Sequence, residues 1–160
     1  MLDDRIPFDE LMIGATLNLL AQTINRRVVE ALHAQGYRDF RPAFHPVFQW
    51  LAPEGSRISD LARATGVTRS AMSQLVDILA ALDYVERAPD PRDGRAVLIR
   101  RTARGHAVNR IAREVVVAAQ AEWSGALGPD EFARTLQALR QLTRLAYAPA
   151  SASRASAATD

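Results

Sequence analysis

The stretch ISDLARATGVTRSAMSQLVDILAALDYVERAPDPRDGRAVLIRR, residues 58–101, decides the fold. Its first part reads as two short helices, 59–65 and 68–82, separated by Gly66 and Val67. Ile58, Leu61, Ala62 and Val67 form an apolar seat at helical spacing, and Ala71, Met72, Leu75, Leu79 and Leu82 form the matching stripe. Gly66 lets the chain turn sharply between the two. After Asp83 the pattern changes. Residues 84–88 and 96–101 read as strands joined by the turn-rich PDPRDGR of 89–95, which gives a β-hairpin with a polar tip.

On the N-terminal side, Ile13, Leu17, Leu20, Ile24, Val28 and Ala31 recur at steps of three and four, predicting a helix over 8–35. Pro7 precedes it, Asp9 and Glu10 occupy its opening turn, and Gly36 ends it. Leu11, Leu19 and Leu32 lie on its other side. Apolar residues on more than one face predict burial against a second chain. A shorter helix follows Pro42, with Phe44, Val47, Phe48 and Leu51 inward, and Pro53, Glu54 and Gly55 break it. Past the hairpin the chain is helical again from Thr102, with Val108, Ile111, Val115 and Ala119 as its stripe. Leu127-Gly128-Pro129 interrupts it. A last helix starts at Pro129, with Asp130 and Glu131 at its positive dipole end and Phe132, Leu136, Leu139 and Leu142 as its stripe. The fold class is therefore mainly α with one small β-hairpin. The Ala- and Ser-rich stretch over 148–160 is expected to be disordered.

The 160 residues suffice for one compact domain, and there is no cysteine, which excludes disulfides, thiolate metal sites and thiol redox sensing. No run approaches the roughly 18 apolar residues of a membrane span, and Asp3, Asp4 and Arg5 do not open a signal peptide. The expected location is the cytoplasm, with no membrane partner. The net charge is +2, but its distribution is uneven: residues 57–104 hold nine Arg and six acids, a local excess of +3. That excess is modest support for a nucleic-acid partner.

The second helix of the pair carries Arg69, Ser70, Ser73, Gln74 and Asp77 on its remaining face, and Thr68 stands at its N-cap position. Arg matches the two acceptors of guanine in a major groove, and Gln matches the donor and acceptor of adenine. Ser70 and Ser73 reach phosphates or bases, and the helix N-terminus favours phosphate. A polar face alone is what any amphipathic surface helix shows. The hairpin changes the balance, because its tip holds Asp90, Arg92, Asp93 and Arg95. An Arg on a slender hairpin enters a minor groove, where narrow width concentrates negative potential. Neighbouring carboxylates orient its guanidinium.

Residues 58–79, Tyr84-Val-Glu-Arg87, the tip Asp90-Pro-Arg-Asp-Gly-Arg95 and Arg101-Thr-Ala-Arg-Gly105 together resemble the MarR family. The wing motif Asp-x-Arg-Asp-x-Arg is complete at Asp90, Arg92, Asp93 and Arg95. The resemblance covers 8–147 as a single domain. It implies a winged helix-turn-helix lobe at 41–101 and dimerisation helices at 8–35 and 102–147. It further implies a homodimer on a pseudo-palindromic double-stranded DNA operator, with recognition helices in successive major grooves and wings in flanking minor grooves. Repression released by a small, often aromatic ligand is what the family's members imply. By the same resemblance Arg95 is the minor-groove residue, Asp93 its orienting partner, and Arg92 a phosphate or ion-pair contact. The lack of Cys departs from the family's peroxide sensors.

Other readings fit the residues less well. His33, His45 and His106 lie on different segments without ligand spacing, so no metal and no cofactor is expected. No Gly-x-Ser-x-Gly, phosphate-cradling loop or His-Glu-x-x-His is present, so no enzyme is expected. A helical protein-binding dimer would explain the amphipathic termini but not the Arg-tipped hairpin. Tyr37, Phe40, Phe44, Phe48 and Trp50 cluster before the helix pair. Aromatic residues at that spacing usually pack in a core. The alternative is a ligand cavity lined by Phe44, Phe48 and Trp50.

Overall fold

The computed structural model describes residues 11–91 and 93–146, and of Arg95 the backbone. The elements run in the order α1 (Ile13–Ala34), a 3-10 turn (Pro42–Phe44), α2 (His45–Trp50), α3 (Ile58–Thr65), α4 (Arg69–Ala81), β1 (Val85–Asp90), β2 (Asp93–Arg101), α5 (Ala103–Leu127) and α6 (Pro129–Ala146). The chain packs as two units, one through Val117 and one from Ala118, so the division falls inside α5. Among the described residues no helix is long and apolar enough to cross a membrane.

α1 begins later than its sequence pattern predicts. Leu11 and Met12 are outside the helix, and Met12 stands at the N-cap with extended backbone. The expected opening features Pro7, Asp9 and Glu10 lie outside the described residues, as does the expected disordered stretch at 148–160. At the other end the amides of Gly36 and Tyr37 donate to the carbonyls of His33 and Leu32 at 3.1 and 3.0 Å. Those two bonds satisfy carbonyls that the helix leaves open, with Gly36 in the left-handed region.

The core of the first unit gathers Val28 and Leu32 from α1 with Phe40, Phe44, Val47, Phe48 and Leu51. It adds Leu61, Ala62, Met72, Val76, Leu79, Tyr84, Val85, Ile99, Val108 and Ile111. Phe40 is the centre of an aromatic cluster, with ring centroids 5.5 Å from Phe44, 5.5 Å from Phe48 and 5.7 Å from Tyr84, all edge-on. Edge-on pairs of this kind add to simple area burial. In the second unit α6 has no buried residue. Phe132, Leu136 and Leu139 are half-buried, and Leu142 is exposed.

The hairpin is longer than its composition suggests. β1 and β2 are antiparallel, and they run on from Val85↔Arg101 to Asp90↔Asp93, leaving only two residues at the turn. The register shifts between Pro89 and Asp90, and a bulge is one of the places where a strand accepts proline. Ser56 adds a bridge to the other edge of β2: its amide donates to the Ile99 carbonyl at 3.0 Å, and the Ile99 amide returns the bond at 2.8 Å.

Candidate nucleic-acid interface

The second helix of the pair, α4, is fixed by local chemistry. Gly66 closes α3 in the left-handed conformation at φ +72°, which a side chain would resist. Thr68 then caps α4, accepting the Ala71 amide on its Oγ1 at 3.1 Å. At the far end the amides of Asp83 and Tyr84 donate to the carbonyls of Ala80 and Leu79 at 3.0 and 2.9 Å. Asp83, not glycine, takes the left-handed turn at φ +59°. Asp tolerates that conformation better than most residues.

The helix buries Met72, Val76 and Leu79, spaced i, i+4, i+7. This corrects the expected stripe in two places. Val76 belongs to the core although the pattern omitted it, and Ala71 is exposed beside Arg69, Ser70 and Gln74. A methyl side chain gains little by burial, so the larger Val76 sets the rotation of the helix. Val67, expected in the apolar seat, is 44% exposed. Of the polar face, Arg69, Ser70, Gln74 and Asp77 are exposed, and Ser73 is half-buried.

The hairpin beside it is held by partners from elsewhere in the chain. Arg57, at the N-cap position of α3, donates to Asp90 Oδ2 through Nη2 at 2.7 Å and Nε at 3.3 Å. The same Nη2 donates to Asp93 Oδ2 at 3.3 Å. The hydrogen bond to Asp90 pushes the Arg57 guanidinium above its ordinary range. Asp90 is thus not a solvated tip residue but is buried. Arg87 on β1 donates to Asp77 on α4, and Arg100 on β2 donates to the Glu54 carbonyl at 3.1 Å. Asp60 meets Arg63 at 3.4 Å. Asp60, Asp77, Asp90 and Asp93 are therefore matched by arginines, which reduces their repulsion of a polyanion. Arg92 lies outside the described residues and so does the side chain of Arg95. The expected pairing of Asp93 with Arg95 is set beside an observed pairing of Asp93 with Arg57.

The root of the hairpin is equally non-local. Arg101 Nη2 donates to the carbonyls of Phe48 (3.0 Å) and Leu51, and Nη1 to that of Ala52 at 3.3 Å. It closes the C-terminal end of α2, where a cation suits the helix dipole. Thr102 donates its hydroxyl to the Asp83 carbonyl and accepts the Gly105 amide at 3.1 Å, capping α5. A Cβ at Gly105 would lie 2.0 Å from the Tyr84 carbonyl oxygen, so only glycine lets α5 start this close to the strand. Tyr84 donates to Asp39 Oδ1 at 2.6 Å, and Arg104 Nη2 donates to both Asp39 oxygens at 2.8 Å. Burial pushes Asp39 up, but the bond from Tyr84 and the charge of Arg104 outweigh it and hold the carboxyl below 3.8. Burial and the bond to Asp39 push the Tyr84 phenol from 10.0 to about 12.

The three aromatic ligand candidates differ in exposure. Phe44 and Phe48 are sealed in the aromatic core, while Trp50 is 45% exposed at the end of α2. His33 Nε2 lies 2.9 Å from the Phe40 carbonyl, and His45 stands edge-on to Phe40, with burial pushing its pKa down. Among the described residues no three His, Cys, Asp or Glu gather as metal ligands do. Sequence reasoning missed Arg57, Arg87 and Arg101 as structural partners. Each acts across elements, and no periodicity or spacing marks such pairs.

A family model described as the MarR family matches residues 41–96. No curated protein matches the chain. Among solved structures, CouR from Rhodococcus jostii RHA1 bound to p-coumaroyl-CoA superimposes with a TM-score of 0.65 at 25% identity, over 85% of this chain and 92% of that one. The reduced form of MarR from E. coli gives 0.64 at 24% identity, over 82% and 96%. The transcriptional repressor CouR bound to a 23-mer DNA duplex gives 0.63 at 20% identity, over 83% and 93%.

Proposed function

We propose that this chain, whose residues 41–96 match the MarR family model and whose fold matches solved MarR-family regulators, is a transcription regulator binding double-stranded DNA as a homodimer. One observation carries this reading. α4 exposes Arg69, Ser70 and Gln74 in the same lobe as an arginine-bearing hairpin whose Asp90 and Asp93 are both met by Arg57. Arg69 and Gln74 address base edges in the major groove, and Ser70 and Ser73 contact bases or phosphates. Thr68 presents the helix N-terminus to phosphate. Arg95 enters the flanking minor groove and Arg92 meets the backbone, with Asp93 holding the tip. The likeness to CouR, which has been solved on a DNA duplex, supports the same docking.

Two apolar surfaces support the homodimer. α1 exposes Ile13, Leu17 and Leu20, and α6 exposes Leu142 and Leu145. Apolar rows of this kind are covered in the working protein. A two-fold dimer places its reading helices about 34 Å apart on a pseudo-palindromic operator. Bound there it blocks transcription in the cytoplasm, and a small aromatic ligand that prefers a different helix spacing releases it. CouR bound to p-coumaroyl-CoA supports the ligand arm. Of the aromatic candidates, Trp50 offers exposed surface, whereas contact with Phe44 or Phe48 requires the aromatic cluster to open.

The test is selection of bound duplexes from a random pool at low salt. Enrichment of half-sites centred one helical turn apart is expected, with affinity falling steeply as salt rises. Arg95→Ala is expected to weaken binding while fold and dimer persist. A pool that yields no enriched duplex, or full affinity in the variant, refutes the respective claim.

A further inference from the structure

We propose that Arg57 is the positioning residue of the hairpin, a single guanidinium that bridges the two facing carboxylates of the tip and fastens them to the start of α3. Asp90 and Asp93 are cross-strand partners. Like charges directly opposite each other destabilise a strand pair, and a cation between them offsets that repulsion. Arg57 supplies that cation: its Nη2 lies 2.7 Å from Asp90 Oδ2 and 3.3 Å from Asp93 Oδ2. The Asp90 side chain is only 8% exposed, which removes much of the solvent screening that weakens surface pairs.

The position itself is informative. Arg57 occupies the N-cap of α3 and makes no capping bond from its side chain. Ser, Thr, Asp or Asn at an N-cap stabilises a helix relative to residues that do not cap. The chain forgoes that local gain, and the side chain is committed to the tip instead. The preceding residue, Ser56, is bonded in both directions to Ile99 of β2, so the backbone holds Arg57 against the hairpin. α3 packs on α4 through the shared core. The bridge therefore sets the tip relative to the reading helix, and with it the approach of the Arg95 backbone to a duplex. This last step rests on the DNA-binding reading, whereas the bridge itself does not.

The experiment uses the full chain with Arg57→Gln and Arg57→Lys, and has two arms. In the first, amide hydrogen exchange is followed in the free protein, with no DNA present. Arg57→Gln is expected to speed exchange at residues 93–97 by about tenfold while α4 keeps its parent rates. Arg57→Lys is expected to fall between the two, because one ammonium lacks the planar fork that reaches two carboxylates. Parent rates at the tip, or equal acceleration throughout the lobe, overturn the proposal. Should the Gln variant fail to fold, the Lys variant decides alone: tip exchange equal to the parent's overturns it.

In the second arm, affinity for the selected duplex is measured for Arg57→Gln with and without Arg95→Ala. A positioning role predicts a loss of about tenfold in the parent and less than about twofold beside Arg95→Ala. Equal losses in both backgrounds mark Arg57 as an independent phosphate contact and overturn the positioning claim. If the parent binds no duplex, the DNA-binding reading fails, and the exchange arm still decides the bridge.

Discussion

α4 closes its own ends, and the hairpin does not. Thr68 caps the first turn of α4 three residues from the amide it satisfies, and the Asp83 and Tyr84 amides close the last turn. The tip of the hairpin depends instead on Arg57, 33 residues before Asp90, and its flank depends on Asp77 of α4. Its root depends on Arg101 reaching back to the end of α2 and on Gly105 meeting the Tyr84 carbonyl. The contrast teaches where a lobe is rigid by local rule and where it is rigid by assembly. A helix capped within its own sequence can form its geometry early. A two-stranded hairpin is marginal alone and takes its position from the elements that hold it.

The largest expected effect removes what the two regions share. Leu79 and Ile99 are fully buried in one core. Leu79→Ala should cost about 2–5 kcal/mol, and denaturant unfolding followed at helix and hairpin amides should show both lost in one transition. A hairpin that outlasts α4 would separate the two regions energetically. Next comes the hairpin root in alkali. The phenol of Tyr84 is raised from 10.0 to about 12, so it stays neutral in the folded chain where an unfolded chain has ionised. The stability it contributes is complete below pH 10 and is lost as pH climbs towards about 12. Tyr84→Phe should flatten that alkaline fall; an unchanged slope would assign it to other groups. The smallest effect is confined to the helix. Thr68→Ala should cost about 1 kcal/mol and loosen the first turn of α4, with hairpin amides exchanging as in the parent. Hairpin loosening of equal size would show that the cap serves both regions.

The legibility of the two regions follows the same division. The polar face of α4, its cap, and the turn at Gly66 could all be read from residues within a few positions of one another. The rotation of the helix was read less well: Val76 is buried and Ala71 is exposed, because total burial across the lobe sets the phase. Pro, Asp and Gly at 89–95 read as a seven-residue turn, yet the strands continue to Asp90 and from Asp93. Arg57 met no rule of pattern at all.

From residue order alone came the succession of helices, the hairpin, the polar face of α4 and the family likeness. Apolar period, capping and turn chemistry act over one to four residues, so a linear chain carries them in full. The folded arrangement alone decided which arginine meets which carboxylate, which carbonyls Arg101 closes, and which aromatic side chains are sealed from solvent. Those outcomes join segments tens of residues apart, where distance in space, and not position along the chain, sets the energy.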